Sequence, residues 1–188
     1  MGLHTHLQGK DCGQCAAVLA ANLGTRRHIA NSEATAAAFR ATGERGPEVV
    51  IHNAISTAGL TPDRRPALRE ALLCEAGLNP AVPLVGVFGR LADRKGQHVA
   101  IAAVGAISGA QLVVVGGALF GEDAAEARLR SQVTRAGLED RVRFLGFRND
   151  VPALMGGVDI VVHRSIQPEP FGRVIVEAMR SATRRVER

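Results

Sequence analysis

Leu84-Val85-Gly86-Val87-Phe88-Gly89-Arg90-Leu91-Ala92-Asp93-Arg94-Lys95-Gly96 is the stretch whose reading decides the fold. The run from Leu84 to Phe88 carries no polar side chain, which suits a strand covered on both faces. Gly89 ends the run, a cationic loop follows, and helical periodicity extends from Lys95 to Ile107. Gln111 to Val115 is then a second apolar strand. Strand, crossover helix and strand form the repeating unit of a parallel α/β sheet.

The pattern continues in both directions. Downstream, a helix is expected over Glu122 to Ala136, with Gly137 as its C-cap. Val142 to Leu145 reads as a strand, Val151 to Met155 as a short helix, and Val158 to Val162 as a fourth strand. Upstream, His28 to Asn31 and Glu48 to His52 read as strands, with Ser32 capping a helix over Glu33 to Ala41. A loop covers Asn53 to Thr61, and Asp63 to Glu75 is helical, closed by Gly77 and Pro80. The expected fold is therefore a Rossmann-like α/β parallel sheet of four strands, preceded by the tail of another Rossmann unit. Domain limits follow: residues 1–60 as an N-terminal remnant with a hinge near Asn53, 61–180 as the main domain, and 181–188 as a polar tail.

Composition agrees with that class. Hydrophobic residues make up 46% of the 188-residue chain, but aromatic residues only 3%, so the core must be Val, Leu, Ile and Ala. The net charge of +5 comes mainly from Arg, with Lys only at 10 and 95. These cations are scattered beside Asp and Glu, as on a solvated face. With few aromatic platforms, a nucleic-acid-binding module is disfavoured. No run approaches the roughly 18 apolar residues of a membrane span, and Met1 to Lys10 lacks an export signal core. Three Cys fit reduced thiols, so a cytoplasmic protein is expected, with peripheral membrane contact left open. Cys12-Gly13-Gln14-Cys15 has no adequate strand before it for a redox pair, and His4 and His6 nearby match no metal spacing; both read as incidental.

The second informative stretch is Glu169-Pro170-Phe171-Gly172-Arg173-Val174-Ile175-Val176-Glu177-Ala178-Met179. Phe171, Val174, Ile175 and Ala178 recur at helical spacing, so an amphipathic helix is expected to begin near Pro170. Glu169 and Glu177 then lie roughly 12 Å apart along the axis, about the span of a sugar joined to a nucleoside through two phosphates. Gly172 opens the first turn to a ligand, and free N–H groups there can hold an anion. Arg90 and Lys95 leave the C-terminal end of the first strand of the main domain, where open α/β sheets bind ligands. A guanidinium fork and an ammonium point charge suit a diphosphate.

Glu-Pro-Phe-Gly with a second Glu eight positions on resembles the E-x7-E signature of the retaining glycosyltransferases of family 4 (glycosyl transferases group 1, GT-B type). The Gly89-Arg90 and Lys95-Gly96 pair resembles that family's phosphate-gripping segment. The resemblance covers residues 28 to 179, is weak before them and fails after them. It implies that Arg90 and Lys95 hold the donor pyrophosphate, Glu169 the donor sugar and Glu177 the ribose, with Glu169, Arg90 and Lys95 as catalytic candidates. Phe171 and Gly172 belong to the same signature. Gly146 and Phe147 would border the base; Gly116-Gly117 and Ser165 are equally read as turn and loop residues. The implied partners are a nucleotide-diphosphate sugar and an unknown acceptor (a sugar, lipid or small molecule), with no cofactor and no metal.

The family continues past Met179 with a glycine turn and further strands, whereas Arg180 to Arg188 is polar with four Arg. The chain is therefore expected to be a truncated C-terminal half. Its last strand would be an exposed edge prone to self-association. The alternative to a transferase is a non-catalytic nucleotide-sugar-binding remnant. Sugar-nucleotide epimerases and phosphorylases share related architecture.

Overall fold

The computed structural model describes residue 23 and residues 27–41, 48–55, 62–118, 123–167, 169, 171–181 and 184–187. The Cys12–Cys15 pair, His4, His6 and the Met1 to Lys10 segment lie outside these. Two compact units are present: one holds the described residues up to Ala54 together with Glu169 and Phe171, the other Ile55 onward without them.

In the first unit β1 (His28–Ala30) runs parallel to β2 (Glu48–Val50), with His28 opposite Glu48 and Ala30 opposite Val50. The crossover is α1 (Glu33–Ala41). Ser32 Oγ accepts the Thr35 N–H at 3.1 Å, which satisfies one of the first-turn donors as the sequence predicts. Ala30 and Ala36 are buried.

The second unit holds α2 (Arg65–Ala76), β3 (Leu84–Phe88), α3 (Gln97–Ala106), β4 (Gln111–Val115), α4 (Asp123–Arg135), β5 (Val142–Gly146), α5 (Val151–Gly157), β6 (Ile160–His163), α6 (Arg173–Arg180) and β7 (Arg184–Glu187). Its five strands are all parallel, in the order β5-β4-β3-β6-β7. The strand order reverses between β3 and β6, which makes the C-terminal ends of those strands the topological switch point.

Alternation along β3 and β4 divides the core between two faces. Leu84, Phe88, Val113 and Val115 pack with Leu72, Leu73, Met155, Val158 and Ala178, from α2, α5 and its C-cap, and α6. Val85, Val87, Leu112 and Val114 pack with Ile101, Val104, Leu129 and Val133, from α3 and α4. A Cβ on Gly86 would stand 2.6 Å from the Phe88 ring, so the glycine makes the room that ring occupies. Helices α2 and α4 end alike. Gly77 and Gly137 take φ of 60° and 61°, and the following Leu78 and Leu138 N–H groups donate back to Leu73 O and Val133 O. Both leucines are buried, completing Schellman-type stops.

The lower edge of the sheet is stapled by Asp159. Its Oδ2 accepts the Leu84 N–H at 2.7 Å and pairs with Arg69, whose Nη2 also donates to Val82 O at 3.1 Å. Asp159→Ala strands the N–H of a fully buried residue. A loss of about 1–3 kcal/mol is expected in urea unfolding, with Asp159→Asn losing less because it keeps an acceptor. Unchanged stability in the alanine variant would refute the staple.

Two expectations are corrected. Residues 184–187, within the segment read as a polar tail, form a strand, and β6 is interior to a five-stranded sheet rather than the exposed edge of a four-stranded one. An open row of backbone N–H and C=O groups on β6 accepts a strand whatever its side-chain polarity, so composition misled. The second correction concerns helix starts. Gly172 and Gly96 adopt left-handed φ of 75° and 70°, which no helix interior allows. Helix α6 therefore begins at Arg173, leaving Phe171 outside it. Lys95 lies on a separate 3-10 turn, Asp93–Lys95, ahead of α3.

Candidate functional site

The C-terminal ends of β3, β4 and β5 are tied together through glycines. Gly89 N–H donates to Val115 O at 2.9 Å, Leu91 N–H to Gly117 O at 3.0 Å, and Gly116 N–H to Gly146 O at 2.8 Å. Gly89, Gly116 and Gly146 all have positive φ. A Cβ on Gly116 would lie 2.0 Å from Gly89 O, so only glycine lets these ends approach so closely. Arg90 is half-buried between two of the ties.

Across the switch point, the loop after β6 locks onto the turn that carries Lys95. Ile166 N–H donates to Arg94 O at 2.9 Å. A Cβ on Gly96 would sit 1.8 Å from Arg164 O. Lys95, half-buried, is thereby fixed beside the end of β6. Asp93 pairs with Arg128 at 2.7 Å, but both are largely exposed, and such pairs add little.

Arg90, Lys95, Gly146 and Phe147 all belong to the strand-end rim of the second unit. A Cβ on Gly146 would meet nothing within 4 Å, and Phe147 is exposed. Phe147 lies beside Gly117, whose missing Cβ would touch it at 3.5 Å. Gly172 caps α6 in the same unit, and Glu177 sits in the middle of that helix. The Glu177 carboxylate is mostly covered and accepts from Arg173 at 3.2 Å. Glu169 and Phe171 cluster instead with the first unit. Phe171 stands near His52, ring centroids 6.1 Å apart, and Glu169 is half-buried.

Sequence reasoning overlooked two residues that shape this rim. Arg148 grips Asp150 in a bidentate pair at 2.8 and 2.7 Å and also pairs with Glu75, pinning the loop that begins at Phe147. The Arg148 hydrogen bond holds the Asp150 carboxyl below its ordinary range, and the guanidinium is pushed up in return. A carboxyl whose folded pKa is depressed stabilises the fold above its unfolded pKa and loses that contribution as pH falls below about 4. Asp150→Asn is expected to remove this acid-side component from pH-dependent melting, by less than about 1 kcal/mol because the pair is exposed. A wild-type and variant difference that stays constant from neutral to acid pH would contradict it. The second overlooked residue is Gln97, which is fully buried and donates through Nε2 to Arg90 O at 2.8 Å.

Among the described residues, no three of His, Cys, Asp and Glu converge as a metal-holding group. No described helix is long and apolar enough to cross a membrane.

Comparison with known proteins fits this geometry. Residues 71–186 match the family model "Glycosyl transferases group 1". The chain is 36% identical over 101 residues to the lipopolysaccharide core biosynthesis glycosyltransferase LpsE of Rhizobium meliloti, covering 54% of this chain and 28% of that protein. It is 32% identical over 139 residues to the mannosyltransferase LpsB of the same organism, covering 71% and 38%. The crystal structure of Anabaena HepE in complex with UDP-glucose superposes with a TM-score of 0.78 and 41% identity, covering 90% of this chain and 46% of that one. The chain thus spans less than half the length of each of these proteins. With a parallel Rossmann-like sheet, a switch point flanked by Arg90 and Lys95, and a family model matching most of its length, this chain belongs to the glycosyl transferases group 1 family.

Proposed function

We propose that this chain provides the donor-binding half of a retaining glycosyltransferase of family 4. It would take a sugar from a nucleotide-diphosphate sugar and pass it to an acceptor hydroxyl in the cytoplasm, without a metal ion. The observation that carries this reading is the locked pair of loops at the switch point, which fixes Arg90 and Lys95 at the strand ends. As the bond between the anomeric carbon and the leaving phosphate oxygen breaks, negative charge grows on the diphosphate. Fixed cations stabilise that charge without reorganising. The acceptor hydroxyl oxygen then bonds to the anomeric carbon from the same face, and its proton passes to the departing phosphate oxygen.

Glu177 is assigned to the ribose and Gly146 with Phe147 to the base. Glu169 is assigned to the donor sugar, with Phe171 and Gly172 completing the signature; that assignment rests on the motif. HepE, 41% identical, was solved with UDP-glucose, which favours UDP among the nucleotides. The relatives include a mannosyltransferase, so the sugar is open, as is the acceptor: a sugar, a lipid, in which case the protein would touch a membrane surface, or a small molecule.

Calorimetric titration of the purified chain with UDP, GDP and ADP tests the donor half. Saturable binding of one nucleotide is expected; no binding by a cooperatively melting chain would refute it. Retention is read separately, from the anomeric configuration of the transferred sugar by NMR. Nucleotide binding without transfer to any acceptor would leave a donor-binding remnant.

A further inference from the structure

We infer that Gln97 is a positioning residue for the nucleoside diphosphate, acting through the main chain of Arg90. The inference rests on the donor-site reading above. Gln97 is the first residue of α3 and only 2% exposed, an unusual place for a polar side chain at a helix start. Its Nε2 reaches back seven residues to donate to Arg90 O at 2.8 Å. A carbonyl oxygen only accepts, so the amide has one workable orientation; the flipped one would set two acceptors face to face.

That orientation leaves Oε1 buried with no hydrogen-bond partner among the described residues. A half-satisfied buried carboxamide is a poor device for stability, since an apolar residue of the same shape would carry no desolvated orphan. What Gln97 does provide is geometric. The N–H groups on either side of Arg90 are already fixed, Gly89 to Val115 O and Leu91 to Gly117 O. The Gln97 bond adds a second anchor to the peptide joining Arg90 to Leu91, holding its carbonyl while its N–H donates to Gly117 O. With both its carbonyl and its N–H held, that peptide cannot rotate, which sets the direction in which the Arg90 side chain leaves the backbone. Because Gln97 follows Lys95-Gly96 directly, the same bond sets the spacing of the two cation-bearing segments. A ligand with two phosphates needs that spacing, whereas one with a single phosphate needs it far less.

The test is a double-mutant cycle on the full chain. Dissociation constants are measured for the tightest binder among UDP, GDP and ADP and for its monophosphate, with wild type, Arg90→Ala, Gln97→Met and the double variant. Gln97→Met is expected to weaken the diphosphate about tenfold and the monophosphate less than about twofold. The double variant should bind the diphosphate no more weakly than Arg90→Ala alone, since both changes remove one interaction. Equal losses for both nucleotides, or losses that add in the double variant, would overturn the inference. Diphosphate binding lost in Arg90→Ala but intact in Gln97→Met would overturn it while leaving the donor-site reading in place. A folded wild type that binds no nucleotide would end both. If Gln97→Met does not melt cooperatively, Gln97→Asn takes its place: it keeps a carboxamide in the pocket but falls one methylene short of Arg90.

Discussion

Gly96→Ala is expected to cost at least about 3 kcal/mol of stability, or to force the Lys95 turn off the loop after β6. Two penalties combine. The left-handed φ of 70° disfavours any L residue by about 1–2 kcal/mol. The new methyl would also lie 1.8 Å from Arg164 O, a backbone atom that cannot rotate away. Relief requires the two loops to part, breaking the bond from Ile166 N–H to Arg94 O. Gly77→Ala supplies the control. Gly77 has φ of 60°, but its Cβ would meet nothing within 4 Å, so only the dihedral penalty applies. Paired denaturant titrations then isolate the overlap as the difference between the variants. Equal stabilities, with nucleotide affinity unchanged in Gly96→Ala, would show that the switch-point loops are not locked.

Lys95→Ala and Glu177→Ala should both abolish tight donor binding, but by separable routes. A charge-assisted hydrogen bond is worth about 1.5–3 kcal/mol, or roughly ten- to a hundredfold in affinity. Removing the ammonium is expected to weaken UDP by that factor and to leave uridine almost untouched, because uridine carries no phosphate. Removing the Glu177 carboxylate should weaken UDP and uridine alike, because both carry the ribose. Titrating both ligands into both variants gives a two-by-two comparison. If Lys95→Ala weakens uridine as much as UDP, the lysine serves the fold and not the diphosphate. The pair Arg173–Glu177 at 3.2 Å adds a condition: a ribose hydroxyl must donate to an oxygen that already receives an exposed guanidinium. A carboxylate has lone pairs for both.

How far the sequence could be read is clearest at particular elements. Strands β3 and β4 were legible because a strand buried on both faces has no polar side chain to disguise it. The stops at Gly77 and Gly137 were legible because a left-handed residue followed by Leu is a local device. Arg90 and Lys95 were found at the strand ends because topology dictates where such sheets bind. The start of α6 was misjudged: Pro170 and the spacing of Phe171 mimic a first turn, and only the backbone at Gly172 shows that the turn is broken. Strand β7 was invisible because it pairs with the open edge of β6 through backbone groups, which composition does not report. Gln97 and Arg148 were missed for a related reason. One acts on a main-chain carbonyl seven residues away and the other on carboxylates of two segments, and neither partnership leaves a trace in spacing or composition.

The placement of β3 at the centre of its sheet also fixes an order of assembly. Its register joins Val85 to Leu112 on one side and to Ile160 on the other. The first closure spans 27 residues and the second 75. Closing the longer loop costs about 0.9 kcal/mol more in chain entropy if the intervening chain is still loose. Strands β3, β4 and β5 are therefore expected to form first, with β6 docking once α4 and α5 have shortened the path. The turn bearing Lys95 acquires its partner loop only at that second step. In native-state hydrogen exchange, amides of β3 and β4 should outlast those of β6. The contact between the Lys95 turn and the loop after β6 would then form later than the β3–β5 core and open before it.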